Sequence, residues 1–320
     1  MSFDILGTGS RVPRKVVTND DLTEFLDTSD EWIYTRTGIR KRHVLTDETL
    51  LDLAVGSAEI ALEDAKTSPS EIGFVLAATM RGDTVTPSFA FCVAEKLGIA
   101  APAFDVNAAC VGVLYCMELA DSLISTGKAD KILIVSAEAM SKLVDWNDRA
   151  SCVLFGDGSG AMVVGKGEGR LAGILSGKPD SVSIRMPSFE GESRFNEIKA
   201  EKMVMHMDGQ EVYKFAVNAM GHEIENVCQK AGIEPAEVDW FLPHQANVRI
   251  VDACQKKFKI EKSKVLMNIA EYGNMSATSI MVLLDEFAKK GTFHRGDKLL
   301  FVAFGGGLTS GALLIKWNKD

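Results

Sequence analysis

Short apolar runs alternate with longer amphipathic segments along the whole chain. Phe74-Val75-Leu76-Ala77-Ala78 is an unbroken apolar run of strand length, and Lys131-Ile132-Leu133-Ile134-Val135 is another, rich in β-branched residues. Both read as buried strands. Leu50 to Lys66 instead spreads Leu53, Ile60 and Leu62 over a helix-length segment that tolerates Gly56 and Ser57. A strand-like Phe104-Asp105-Val106 runs into a second helical stretch, Val111 to Ser125. Strands and helices alternating in this way predict an α/β fold.

The same pattern occurs twice. Pro69-Ser70-Glu71-Ile72-Gly73-Phe74-Val75-Leu76 is echoed by Pro235-Ala236-Glu237-Val238-Asp239-Trp240-Phe241-Leu242, an offset of 235 − 69 = 166. Asp130 to Val135 is echoed by Asp297 to Val302 at 297 − 130 = 167, and Phe155-Gly156-Asp157-Gly158 by Phe304-Gly305-Gly306-Gly307 at 304 − 155 = 149. The shorter last offset places extra residues between the final two strands of the first copy. Three echoes in one order predict a duplicated chain, with halves near 1–168 and 169–320. If the halves pack about a pseudo-twofold, equivalent helix starts face each other. Adding 166 to 110 gives 276, which brings Cys110 towards Asn274.

Composition narrows the function without naming it. The 320 residues carry 35 Lys+Arg against 44 Asp+Glu, a net charge of −9, which argues against a surface built to hold nucleic acid or anionic lipid. No apolar run approaches the ~18 residues of a membrane helix, and the first residues lack the basic start and apolar core of a signal peptide. The cysteines at 92, 110, 116, 152, 228 and 254 form no C-x-x-C pair. That scatter reads as reduced cysteines of a cytoplasmic enzyme, with no disulfide framework and no zinc site.

Four segments carry candidate chemistry. Cys110 sits at a strand-to-helix turn, where the positive end of the helix favours a thiolate nucleophile; the plain alternative is a packing cysteine, the reading given to the other five. His244 follows the strand-like Trp240-Phe241-Leu242, at the strand end where open α/β sheets gather ligands; a lone histidine is otherwise structural. Asn274 begins a helix and offers an amide donor. Gly305-Gly306-Gly307 lets backbone N–H groups approach an oxyanion, or simply makes a tight turn.

Together these residues resemble the β-ketoacyl-acyl-carrier-protein synthase III family of condensing enzymes, within the thiolase superfamily. The likeness runs nearly end to end, through Gly7-Thr8-Gly9-Ser10 with Pro13, Asp30-Glu31-Trp32-Ile33 with Arg36-Thr37-Gly38-Ile39, and Asp105 to Cys110. It continues through Phe155 to Ala161, Pro243 to Asn247 with Arg249-Ile250, Gly273 to Ala277 and Phe304 to Gly307. The resemblance implies a five-layered α-β-α-β-α thiolase fold, with the nucleophile in the first half and His and Asn in the second. It implies a primer taken from acyl-CoA onto Cys110, followed by decarboxylative condensation with malonyl-acyl-carrier protein, without metal or redox cofactor. His244 and Asn274 would hold the enolate oxygen, and the N–H groups of Cys110 and Gly306 the oxyanion. Trp32 and Arg149 would sandwich the CoA adenine, Thr28 and Arg36 would contact the nucleotide end, and Gly209, Ala246 and Asn247 would line the pantetheine tunnel. Lys214, Arg249, Lys256 and Lys257 match a basic patch for the acidic carrier protein. A homodimer is implied, because the acyl pocket is completed across the interface.

Departures from the pattern bear on specificity. Thr86 stands where primer-restricted members place a Phe that closes the partner's acyl pocket, so longer or branched primers are expected. Met275 replaces a usual Thr, and Ser310 a common Trp. Hydroxymethylglutaryl-CoA synthase would need a carboxylate base where Thr79-Met80 stands and Glu in place of Asn274. Chalcone-synthase-like enzymes run longer, and a papain-like hydrolase lacks the duplication. A starter synthase of a specialised, polyketide-like pathway shares the same three residues. A non-catalytic acyl-CoA or carrier-protein binding module would be expected to have lost one of them.

Overall fold

The computed structural model describes residues 2–188, 194–195 and 201–319. Its first sheet runs, in spatial order, Ser2–Arg11, Asp157–Gly167, Lys131–Ala139, Phe74–Ala78 and Ala103–Val106. The second runs Arg170–Gly177, Thr309–Lys316, Lys298–Gly305 and Trp240–Pro243. Strand for strand the order and directions repeat: two antiparallel pairings, then a parallel one. The counterpart of the fifth strand shrinks to a single parallel bridge, Phe241 to Val265. The strands of the first sheet lie within 2–167 and those of the second within 170–316.

The repeated Pro-x-Glu segments have a common physical role. Pro69–Glu71 and Pro235–Glu237 are 3-10 turns, each closed by its glutamate: Glu71 accepts the Ser68 N–H and Glu237 the Glu234 N–H, both at 2.8 Å. Each turn reverses the chain from an outer helix into a buried strand. Helix Leu50–Asp64 opens with a capping box, Thr49 with Asp52, and ends two residues before the predicted Lys66, whose φ of +48° breaks the helical path.

Between the sheets lie helices Gly112–Ser125 and Thr278–Lys289, in one apolar cluster with strand residues from both halves. Thr278 through Asp285 are all buried, as a helix covered on every side requires. Leu50–Asp64 and Phe89–Leu97 cover the outer face of the first sheet, and Gly209–Ala231 and Val248–Phe258 that of the second. The layers therefore run helix, sheet, helix, sheet, helix.

The Gly7-Thr8-Gly9-Ser10 segment shows how a strand serves both neighbouring layers. A Cβ on Gly9 would stand 2.2 Å from the Ser57 carbonyl, so glycine is what lets Leu50–Asp64 lie against the strand. The intervening hydroxyls point the other way: Thr8 and Ser10 both donate to the buried Asp285 carboxylate of the central helix, at 3.0 and 2.5 Å.

Candidate active site

The two central helices begin at the same place between the sheets. Cys110 follows the edge strand Ala103–Val106 in a 3-10 turn, Ala109–Val111, that leads directly into Gly112–Ser125. No side chain caps that helix, leaving its first N–H groups to favour negative charge nearby. Gly305 comes so close that a Cβ there would lie 2.9 Å from the Cys110 nitrogen and 3.3 Å from its Cβ. The glycine turn at the end of strand Lys298–Gly305 is thus packed directly on the nucleophile turn.

From the second half, Ser276 donates its hydroxyl to Cys110 Sγ at 3.4 Å. The Ser276 N–H donates to Asn274 Oδ1 at 2.8 Å. With the oxygen engaged, the Asn274 side chain presents its NH2 group as a donor. The Asn274 main chain is held by Leu154 and Gly156, at 2.8 and 3.1 Å, which fixes the amide between the halves.

His244 ends strand Trp240–Pro243, its N–H donating to the Val302 carbonyl at 2.7 Å. The imidazole is buried edge-on against Phe304, with ring centroids 5.3 Å apart. Burial lowers its pKa to about 4, the Ser276 main chain acting in the opposite sense, so the ring is neutral at neutral pH. A neutral imidazole donates one hydrogen bond without bringing a charge.

The thiol behaves differently from the sequence-based expectation. Withdrawal from water pushes the Cys110 pKa up to about 11; the Ser276 hydroxyl pulls it back and Glu138 pushes further. Burial therefore opposes the helix terminus, and the resting thiol holds its proton.

Two cavities adjoin this centre. One, of about 280 Å3, is lined by Trp32, Arg36 and Asn247 at one end and reaches Asn274. The other, of about 360 Å3, touches Ala109 and Gly306 beside the cysteine and is walled by Met80, Ile184, Met186 and Met205.

Known proteins resemble this chain in sequence and in fold. Residues 104–181 match the family profile described as 3-oxoacyl-[acyl-carrier-protein] synthase III, and 228–317 match its C-terminal part. The chain is 45% identical to a β-ketoacyl-[acyl-carrier-protein] synthase III of Desulfitobacterium hafniense, covering 100% of this chain and 99% of the relative. It is 43% identical to that of Aquifex aeolicus, covering 99% and 100%. The chain belongs to the 3-oxoacyl-[acyl-carrier-protein] synthase III family. The crystal structure of an Aquifex aeolicus synthase III superposes with a TM-score of 0.92 at 42% identity, over 98% of this chain and 99% of that one. A priming β-ketosynthase from the R1128 polyketide biosynthetic pathway superposes at 0.93 with 30% identity, over 99% and 96%. The thiolase-type α/β fold follows with the family.

Within this synthase III chain the remaining site residues fall into distinct groups. Trp32, Arg36, Gly209, Ala246, Asn247 and Arg249 line the same cleft as Asn274. The Arg36 guanidinium lies 4.4 Å, and that of Arg149 5.1 Å, from the Trp32 ring centroid. Arg149 comes from the segment between strands Lys131–Ala139 and Asp157–Gly167, where the shorter repeat offset places extra residues. It also donates to the Asp27 carbonyl, next to Thr28, whose hydroxyl is buried without a partner among the described residues and lies outside the cleft lining. Lys214, Lys256 and Lys257 are exposed around the cleft's outer helices; Lys214 pairs with Glu211 at 2.7 Å and Lys257 donates to Asn218 at 3.1 Å. Thr86 is not brought to the nucleophile: it lies in an exposed loop and lines neither cavity.

Ser276 and Glu138 are the site neighbours that the motif reading passes over. The repeat arithmetic lands on 276, but the amide two residues earlier is the more conspicuous chemistry. Glu138 lies beyond the predicted strand Lys131–Val135, which extends to Ala139. Met275 is buried, its sulfur filling the space beside Gly158. Ser310 stands opposite Phe304 in the sheet and donates to the buried Glu223 carboxylate at 2.8 Å. Cys92 is half-buried, whereas Cys116, Cys152, Cys228 and Cys254 are packed inside. Among the described residues no helix is long and apolar enough to cross a membrane.

Proposed function

We propose that this protein condenses an acyl-CoA primer with malonyl-acyl-carrier protein and so initiates fatty-acid synthesis. The observation that carries this reading is the meeting of Cys110 with the Asn274–Ser276 turn beside a neutral, buried His244. In the first half-reaction the Cys110 sulfur attacks the thioester carbonyl. Its new bond to the acyl carbon replaces the acyl–CoA bond, and the thiol proton ends on the CoA sulfur. The N–H groups of Cys110 and Gly306 are suited to hold the tetrahedral oxyanion. In the second, malonyl-carrier protein loses carbon dioxide and its thioester oxygen gains negative charge. The His244 and Asn274 N–H donors stabilise that oxygen without a cation to retain the product. The carbanion then attacks acyl-Cys110, forming the new carbon–carbon bond and releasing the thiolate.

The finer assignments belong to the same reading. The division into a nucleophile half, 1–168, and a His/Asn half, 169–320, is supported by the sheet boundaries. The Trp32–Arg36–Arg149 cluster suits a CoA adenine, and the 280 Å3 cleft leading to Asn274 suits its pantetheine arm. The methionine-walled cavity suits a primer longer than acetyl, since flexible thioethers adapt to varied acyl shapes. A homodimer is supported by the unpaired edge strand Ala103–Val106, with Phe104 and the neighbouring Phe91 exposed. Six free cysteines suit the reducing cytoplasm. A starter synthase of polyketide type is the second reading, favoured by the superposition at 30% identity but ranked below relatives at 43–45%.

Labelled acyl-CoA separates the steps. Label should appear on Cys110 of the wild type and be absent from Cys110→Ser. His244→Ala and Asn274→Ala should keep most of that transfer while losing 10²-fold or more, as an order of magnitude, of malonyl decarboxylation. Equal loss of both half-reactions overturns the assignment, and binding without acylation points to a carrier module. Condensation with polyketide but not fatty-acid carrier proteins would establish the second reading.

A further inference from the structure

We propose that Ser276 is a further catalytic residue, whose hydroxyl donates a hydrogen bond to the Cys110 sulfur and stabilises it as the thiolate that attacks the primer. The inference rests on Cys110 being the nucleophile and adds a residue to that step.

The hydroxyl lies 3.4 Å from Cys110 Sγ, within range for a hydrogen bond to sulfur. It has no competing role at the helix start. Thr278–Lys289 has Ala277 as its N-cap with no side-chain cap bond, and the nearby Met275 N–H is taken by Ser279 instead. Ser276 is fully buried and left-handed at φ +53°, a backbone conformation that serine adopts only with support. That turn directs the hydroxyl to Cys110 while the same residue's N–H sets the Asn274 amide. The two residues are 166 apart, the repeat offset, so equivalent points of the two halves touch across the pseudo-twofold.

The charge environment makes this contact count. Of the side chains that shift the thiol, Ser276 lowers its pKa, whereas Glu138, on strand Lys131–Ala139, raises it. Burial pushes the Glu138 carboxyl well above its ordinary range, and His244, from the facing strand end, is neutral. Among the described residues no Lys or Arg acts on the sulfur. A hydrogen bond to a charged acceptor is among the stronger ones, and here it is donated to the sulfur that must lose a proton.

The test is the rate of Cys110 alkylation by iodoacetamide against pH, read by mass on the Cys110 peptide of the whole protein. In Ser276→Ala the profile should move up by about one pH unit, with alkylation at pH 8 roughly tenfold slower. Ser276→Gly, which accepts a positive φ freely, should shift equally while unfolding at no lower a temperature than the Ala variant. The same profile in wild type and both variants would overturn the proposal, as would a shift in Ala that Gly restores. Primer transfer from acyl-CoA should fall in parallel. If the profile shifts but wild type takes no acyl group on Cys110, the condensing reading fails and the thiolate contact stands.

Discussion

At the scale of single residues, burial sets the protonation states of the site. His244 is neutral because the protein withdraws it from water, and its folded pKa of about 4 lies below the ordinary 6.5. Between those values the unfolded chain binds a proton that the folded chain refuses. Stability from this group is present above pH 6.5 and is lost as pH falls towards 4. Glu138 has the opposite slope: its folded pKa is raised, so its contribution is present at low pH and fades as pH rises. The comparison with His244→Asn cancels Glu138. On going from pH 7 to 5, wild type should lose more unfolding free energy than the variant, by about 2 kcal/mol. Urea denaturation at both pH values checks this, and parallel losses would contradict a buried neutral imidazole.

At the scale of elements, helix Val248–Phe258 links the cleft to the outer surface. Asn247 caps it by accepting the Arg249 N–H, and Ile250, Val251 and Cys254 face inward. Arg249 turns to the cleft and donates to the Thr35 carbonyl of helix Asp30–Thr37, at 3.0 Å. Lys256 and Lys257, two turns on, are exposed near the helix C-terminus, where positive charge is favoured. On a chain of net charge −9, such local groups would carry the docking of an acidic partner in the proposed reaction. The double variant Lys256→Glu, Lys257→Glu should raise KM for malonyl-carrier protein about tenfold at low salt, an effect that shrinks at high salt. Primer transfer from acyl-CoA is the internal comparison, and an equal rise there would place the defect elsewhere.

The whole molecule adds a partner to the primer question. Thr86 lines neither cavity of its own chain, so in the proposed homodimer its place would be at the primer site of the second copy. A two-chain mass by light scattering is expected. Thr86→Phe should narrow the primer range, with kcat/KM for hexanoyl-CoA falling about tenfold relative to acetyl-CoA. The cost is that of forcing roughly one buried ring's bulk into a packed pocket, about 1–3 kcal/mol. An unchanged ratio would leave chain length to Met80, Met186 and Met205.

What the sequence by itself determined was periodic and local. Apolar runs gave the strands, the 166-residue echo gave the duplication, and the glycine, histidine and asparagine segments pointed to the chemistry, because pattern and turn chemistry act over a few residues. The tertiary structure decided what depends on packing between the halves. It placed Ser276 on Cys110, turned the Asn274 amide and extended a strand to carry Glu138 beside the site. It also raised the thiol pKa that the helix start alone would lower, since desolvation arises from atoms distant in the chain.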